Sequence, residues 1–352
     1  MWILTAYLAR NVIAASLVAL VAILALDFVF SLVDGVADDG ASTAEVLYKA
    51  LLSAPALAYE AFPFATLIGA LMGLGALAAR QELTAMRAAG VSVLQIARAV
   101  LLGGVVLAVL ATAIGEYVVP PAERQAAAVR GHAEADELRT GPDGALWARD
   151  GVDFLRVDRP RSASHLESLT FYRFAQGRLS KRIEAEAAHY EHEEDRWRLE
   201  GVTVVAFGDG GVSRETHEQW SWTGTLTPDV LAVVVADPET LPVPDLWTYI
   251  RYLEANELES GPYRLALWEK VATPLATLAM LLVTIPLVFT AVRSAGAGQR
   301  IVIGILVGVV FFLANRALGQ AGVVYGLPPS LSALLPVAAF AVLGVWGTLR
   351  VR

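Results

Sequence analysis

Cysteine is absent from the 352 residues, lysine occurs only as Lys49, Lys181 and Lys270, and histidine occurs five times. Without cysteine there is no disulfide staple, no thiolate nucleophile and no zinc–cysteine centre. None of the lysines follows a glycine, so the glycine-rich loop ending in lysine that wraps nucleotide phosphates is missing. ATP-driven work would therefore need power from another chain. The histidines, His132, His165, His189, His192 and His217, all lie between positions 120 and 263. None falls in a long apolar run, which argues against a histidine-based intramembrane protease or proton relay. Charge is scarce as well: 18% of residues are charged and 56% are hydrophobic, more than a water-surrounded surface tolerates.

The charges that exist are concentrated. Residues 120–263 hold 26 of the 35 acidic and 15 of the 27 basic residues, a net charge of −11. That segment reads as a water-soluble insert in a membrane protein, and its acidity speaks against nucleic acid as a partner, since phosphate must be neutralised.

Six stretches approach the roughly 20 apolar residues that cross a bilayer. They are Val12–Val33, interrupted by Asp27, Pro55–Ala79 with Glu60, and Ala99–Val119 with Glu116, then Leu265–Val292, Ile301–Gln320 and Pro328–Leu349. The first is too long for a signal-peptide core and is read as retained. The loops on one side carry Arg10, Arg80, Arg87, Arg98, Arg293, Arg300, Arg350 and Arg352 against the single acid Glu82. The opposite loops carry Asp34, Asp38, Asp39 and Glu45 with only Lys49. The positive-inside rule then predicts cytoplasmic termini, with residues 34–54 and 120–263 facing outward. The expected fold is membrane α plus β: residues 1–120 hold three spans and a cytoplasmic helix at about 80–92, 121–263 form the outer domain with helical connectors, and 264–352 hold three more spans.

Within the outer segment, residues 146–149, 154–157, 169–174 and 202–207 are short β-branched or aromatic runs. They are separated by turn signals at 141–144, 150–151, 177 and 208–211. Many short strands at regular spacing suggest a sandwich or jelly-roll. Residues 121–139 and 245–263 read as helices leading out of and back into the membrane.

The chemistry-bearing candidates are few. His189-Tyr-Glu-His192 with its acidic neighbours is the one cluster suggestive of a metal, but positions i and i+3 of a strand point to opposite faces. It reads as a solvated hairpin turn, and neither a metal site nor a catalytic residue is expected. The loop from Arg80 to Ser92 predicts a short helix with Leu83 and Met86 on one side and Gly90 as its stop. There Glu82 is either a docking residue for a partner or merely an ion-pair partner of Arg80 or Arg87. Charges inside spans are functional suspects. Arg316 and Glu116 fall near the outer boundary, and Asp27 and Glu60 lie deeper. Gly69-xxx-Gly73 and Gly304-xxx-Gly308 allow close helix approach.

Several strings occur in order along the chain: Arg80-Gln-Glu-Leu…Met86-Arg-Ala-Ala-Gly90, Ile114-Gly-Glu-Tyr-Val-Val-Pro120, Gly144-Ala-Leu-Trp-Ala-Arg-Asp-Gly151, Leu226-Thr-Pro-Asp229, Asp237-Pro238 and Val324-Tyr-Gly-Leu-Pro-Pro329. With three spans, an outer β domain and three spans, they resemble the LptF/LptG permeases of lipopolysaccharide export over essentially the whole chain. The Leu-Trp-Ala-Arg-Asp-Gly and Tyr-Gly-Leu-Pro-Pro strings lie closer to the LptG side of that family.

The resemblance implies a non-catalytic permease in the inner membrane of a Gram-negative bacterium. It would pair with an LptF-like paralogue above an LptB-like ATPase dimer that binds ATP and Mg. It would pass lipopolysaccharide through a periplasmic β-jelly-roll to an LptC-like and LptA-like bridge. The family's coupling-helix glutamate corresponds to Glu82, with Leu83, Met86 and Arg87 around it. A basic residue that helps to hold lipid A phosphates corresponds to Arg130, and an arginine fork suits that task. The family's lysine near the outer end of the first span corresponds to Ser31. Either the LptF-like partner supplies that charge or the lipid's phosphate decoration differs. Other readings predict other features. Lipoprotein-releasing permeases generally have four spans, a glycolipid-modifying enzyme needs a convergent catalytic set, and a sensor needs a cytoplasmic output domain.

Overall fold

A long apolar run in a bilayer has one low-energy solution, the helix, because it satisfies its own backbone groups. A computed structural model of the chain shows that solution six times. It describes every residue except 1, 38–42, 134–145, 151–152, 163, 176, 192–193, 195, 209–210, 225, 229–237, 290–295 and 352. Helices α1 (Trp2–Ala37), α2 (Thr43–Ala79), α3 (Glu82–Ala88) and α4 (Val93–Ala113) are followed by a π turn at Ile114–Val118 and α5 (Val119–Ala133). After the β strands come α6 (Val243–Ala255), α7 (Gly261–Phe289), α8 (Ala297–Tyr325) and α9 (Pro329–Arg350). Among the described residues six stretches are long and apolar enough to span a membrane, each lying over one of the apolar runs of the sequence.

The chain divides into two compact units. One comprises Met1–Ala126 and Gly261–Arg352, the other Ala127–Ser260. In the helical unit α2 is central: 67% of its most apolar window is buried, against 17% for α1 and for α8. Leu67, Leu71, Leu74 and Leu77 recur at helical spacing along α2 and pack with Leu8 and Val12 of α1, Val100 and Leu107 of α4 and Leu281 of α7. Hydroxyls are hidden by bonding back along their own helix. Thr277 donates to the Thr273 carbonyl (3.0 Å), Thr284 to Met280 (2.9 Å) and Thr348 to Gly344 (2.7 Å). Pro55, Pro63, Pro274, Pro286 and Pro336 sit inside these helices, which membrane spans tolerate because neighbours re-satisfy the freed groups.

The second unit contains β1 (Leu146–Asp150), β2 (Asp153–Ser162), β3 (His165–Ala175), β4 (Arg178–Glu191), β5 (Arg196–Gly208) and β6 (Gly211–Trp222). They form one antiparallel sheet in sequence order. The inserted β domain is present as expected, and its described strands run as an open meander instead of crossing over. The reason is local: joins of two to four residues connect successive strands, which suffices for hairpins and leaves no length for a crossover. One face carries the buried Leu155, Val157, Leu166, Leu169, Phe171, Ala188 and Leu199. Edge strand β6 is charged and exposed, which discourages pairing with another chain. Strands β4 and β6 were not among the four apolar runs: Glu, Ala, Lys and Arg dominate β4 and polar residues dominate β6, and pairing with neighbours overrides their propensity.

Candidate functional site

The chain reverses twice between α2 and α4. Gln81 adopts a left-handed conformation (φ 63), with its N–H donating to the Ala78 carbonyl at 3.0 Å, and so breaks α2 before α3 begins. The seven residues of α3 end at Ala88, and two residues on the chain turns at Gly90, whose φ of 89 suits a residue without Cβ. The Val91 N–H closes back to the Met86 carbonyl at 3.0 Å. Ser92 then starts α4 with a reciprocal capping box: the Gln95 N–H donates to Ser92 Oγ (3.2 Å) and the Ser92 N–H to Gln95 Oε1 (2.9 Å).

These stops fix which side of α3 is free. Leu83 is 2% exposed and Met86 packs against the helical core, so both anchor the helix to its own chain. Arg87 lies over the Phe289 ring at 5.9 Å. Thr84, Ala85, Ala88 and Ala89 are exposed. Glu82, in the first turn, accepts a hydrogen bond of 2.7 Å from the Tyr7 hydroxyl of α1. Sequence reasoning did not find Tyr7, since 75 residues separate it from Glu82.

The glycine pairs form a small-residue seam. A Cβ on Gly69 would stand 2.5 Å from the Ser16 backbone nitrogen, and one on Gly73 2.6 Å from Asn11 Oδ1, so this pair faces α1. Gly304 would meet Ile68 at 3.1 Å and Gly308 would meet Phe64 at 2.7 Å, so this pair faces α2 from α8. Between α1, α2 and α8 runs an apolar groove of about 590 Å³ lined by Ala15, Ala19, Met72, Ile305, Gly69 and Gly73.

A polar contact in the spans joins α2, α7 and the π turn. Lys270 Nζ donates to the Gly115 carbonyl at 3.1 Å, stands 3.8 Å from Glu116 Oε1 and lies over the Tyr59 ring at 5.2 Å. The π turn supplies the exposed carbonyl, and Gly115 allows the tyrosine ring close, since a Cβ there would stand 2.6 Å from it. Sequence reasoning named Glu116 as a span charge but did not single out Lys270, which lies inside the Leu265–Val292 run, nor pair the two across 154 residues. Glu60 and Arg316 are exposed on their helices and Asp27 is half-buried. Ser31 lies half-buried near the end of α1. Arg130 falls in the last turn of α5, and its side chain lies outside the described residues, as does His192.

In the β unit Asp153 and Arg173 form a bidentate pair (2.6 and 2.5 Å), and the carboxylate raises the guanidinium's pKa further. They line a cavity of about 1040 Å³ with Lys181, Leu199 and Trp222. Trp197 Nε1 donates to the Leu226 carbonyl at 2.7 Å, and Tyr252 Oη to the Arg149 carbonyl at 2.6 Å. Burial, with Asp150 nearby, pushes the Tyr252 phenol up to about 12.

What these features define is a class, a multi-pass membrane protein of three plus three spans with one inserted β unit. The chain belongs to a particular family within it, the lipopolysaccharide export system permease LptF/LptG, whose profile matches residues 6–350. It is 32% identical over 353 residues to the lipopolysaccharide export system permease protein LptG of Escherichia coli strain K12, covering 99% of this chain and 98% of that protein. To the protein of the same description in Haemophilus influenzae it is 31% identical over 350 residues, covering 98% of each.

Proposed function

We propose that this chain is the permease subunit of an ATP-powered exporter that extracts lipopolysaccharide from the inner membrane and passes it through the β unit toward the outer membrane. The observation that carries the reading is the match along residues 6–350, with relatives described as LptG aligned over almost their whole length. In this reading the termini and α3 are cytoplasmic and residues 120–263 periplasmic. An LptF-like paralogue lies against the apolar, little-buried α1 and α8. An LptB-like ATPase binds ATP and Mg and docks on the exposed side of α3. LptC-like and LptA-like partners receive the lipid from the sheet. Glu82 is the coupling carboxylate. Its first-turn position and its hydrogen bond from Tyr7 support this role, because docking there is felt directly by α1. Arg130 and the region of Ser31 contact the lipid's phosphates, with a contribution from the paralogue.

Affinity purification of the full chain from membranes tests the reading. A separate ATPase and a paralogous six-span chain should co-purify. Glu82→Ala should lose the ATPase while keeping the paralogue. Recovery of a lone chain from the unsubstituted protein would refute the proposal.

A further inference from the structure

Histidines on a sheet converge through register, not through sequence spacing. His165, the first residue of β3, is the direct cross-strand partner of His189 on β4. Their Nδ1 atoms are 3.0 Å apart and the rings meet edge to face, with centroids 4.2 Å apart. The strand ends are held together beside them, with the Tyr190 N–H donating to the Ser164 carbonyl at 3.1 Å. Glu167, two residues along the same face, places Oε1 3.7 Å from His165 Nε2. On β5 the residue opposite His189 is Arg198, and its guanidinium is ion-paired with Glu191, so that cation is already neutralised.

A neutral imidazole carries one N–H and one lone pair. With His165 Nε2–H turned toward Glu167, its Nδ1 is bare and accepts the Nδ1–H of His189. Moving the His189 proton to Nε2 leaves both Nδ1 lone pairs available, and a cation set beside the line between the two nitrogens would take the place of the shared proton. Metal–imidazole bonds are about 2.0–2.1 Å, so nitrogens 3.0 Å apart subtend about 95° at such an ion. That is the angle between neighbouring ligands in tetragonal or octahedral coordination, the geometry of Cu(II) and Ni(II), and it is narrower than a tetrahedral zinc site wants. Glu167, 3.7 Å from His165 Nε2, stands where a small side-chain shift would make it the outer carboxylate partner that holds a ligating histidine's tautomer.

We propose that His165 and His189 are the protein ligands of a site for a divalent late first-row transition-metal ion on the β unit. Glu167 orients the His165 ring from outside the coordination shell, and water fills the remaining positions. Bound there, the ion clamps β3 to β4 beside the hairpin at 162–165.

The full chain, purified in detergent on a tag free of histidine, is titrated with Cu(II) and followed by electron paramagnetic resonance and calorimetry. One equivalent should bind with a two-nitrogen signature, and Ni(II) should bind more weakly, following the order of divalent affinities. His165→Ala and His189→Ala should each leave at most one of the two nitrogens and weaken binding by about tenfold or more, as should, to a smaller degree, Glu167→Gln. His217→Ala should change nothing. Since an alanine at either position risks loosening the hairpin, the unsubstituted chain provides an independent readout. Cu(II) should protect both His165 and His189 from carbethoxylation. Unaltered Cu(II) binding in both alanine variants, or protection of neither histidine, would overturn the proposal.

Discussion

Two cations show how differently the two units treat polarity. The Lys270 side chain is 5% exposed and is held by a main-chain carbonyl, an aromatic face and a carboxylate from other helices. The Arg173 side chain is 42% exposed and is gripped by one carboxylate from the adjacent strand. Among the helices polar groups are few, so one contact ties several elements together. On the sheet charges are abundant and water competes for them, so each pair matters less.

The sharpest test of this contrast is Lys270→Met. It removes the ammonium beside Glu116 and the donor to the Gly115 carbonyl, and should destabilise the chain by about 3 kcal/mol in detergent unfolding. The double variant Lys270→Met, Glu116→Gln should recover most of that loss, because replacing a whole buried pair is far milder than halving it. A single variant as stable as the parent would break the contrast.

Next in size is volume. Gly69→Val drives a side chain into the Ser16 backbone, which has no flexible end to yield, and should cost about 1–3 kcal/mol. The matched change on the sheet is Gly177→Ala at φ 74, in open space, where conformation alone is penalised, by about 1 kcal/mol. The same unfolding measurement ranks the two. A larger loss at Gly177 would mean that backbone conformation, not packing density, is the tighter constraint.

The smallest effect is confined to alkaline pH. The Tyr252 phenol is held at about 12 against an ordinary value of 10.0, so its contribution is complete below pH 10. That contribution is lost as pH rises from 10 toward 12, because the unfolded chain ionises first. Urea unfolding of the full chain should therefore show stability falling across that window, and Tyr252→Phe should flatten the dependence.

The helices were far more legible in the sequence than the sheet. Apolar runs long enough to span a bilayer leave the backbone no alternative, so all six were visible before any coordinates. Gly69, Gly73, Gly304 and Gly308 announced close approach, though not which helix each pair would face. Strand β4 hid because Arg178-Leu-Ser-Lys-Arg-Ile-Glu-Ala-Glu-Ala reads as a good helix former, and only neighbours on both sides make it a strand. Register was invisible as well. His189 pointed within the sequence to His192, three residues on, while its actual neighbour His165 lies 24 residues back. Glu82 stood out by charge alone, and its bond to Tyr7 across 75 residues did not.

The short helix α3 is braced like a strut. A tight turn joins it to α2, the Val91–Met86 bond closes it just before the capping box that starts α4, Tyr7 pins it to α1, and Arg87 rests on Phe289 of α7. Such a strut has almost no slack. A load applied to its open side would not bend seven residues locally but would tilt four spans together, as a lever turns the axle to which it is keyed.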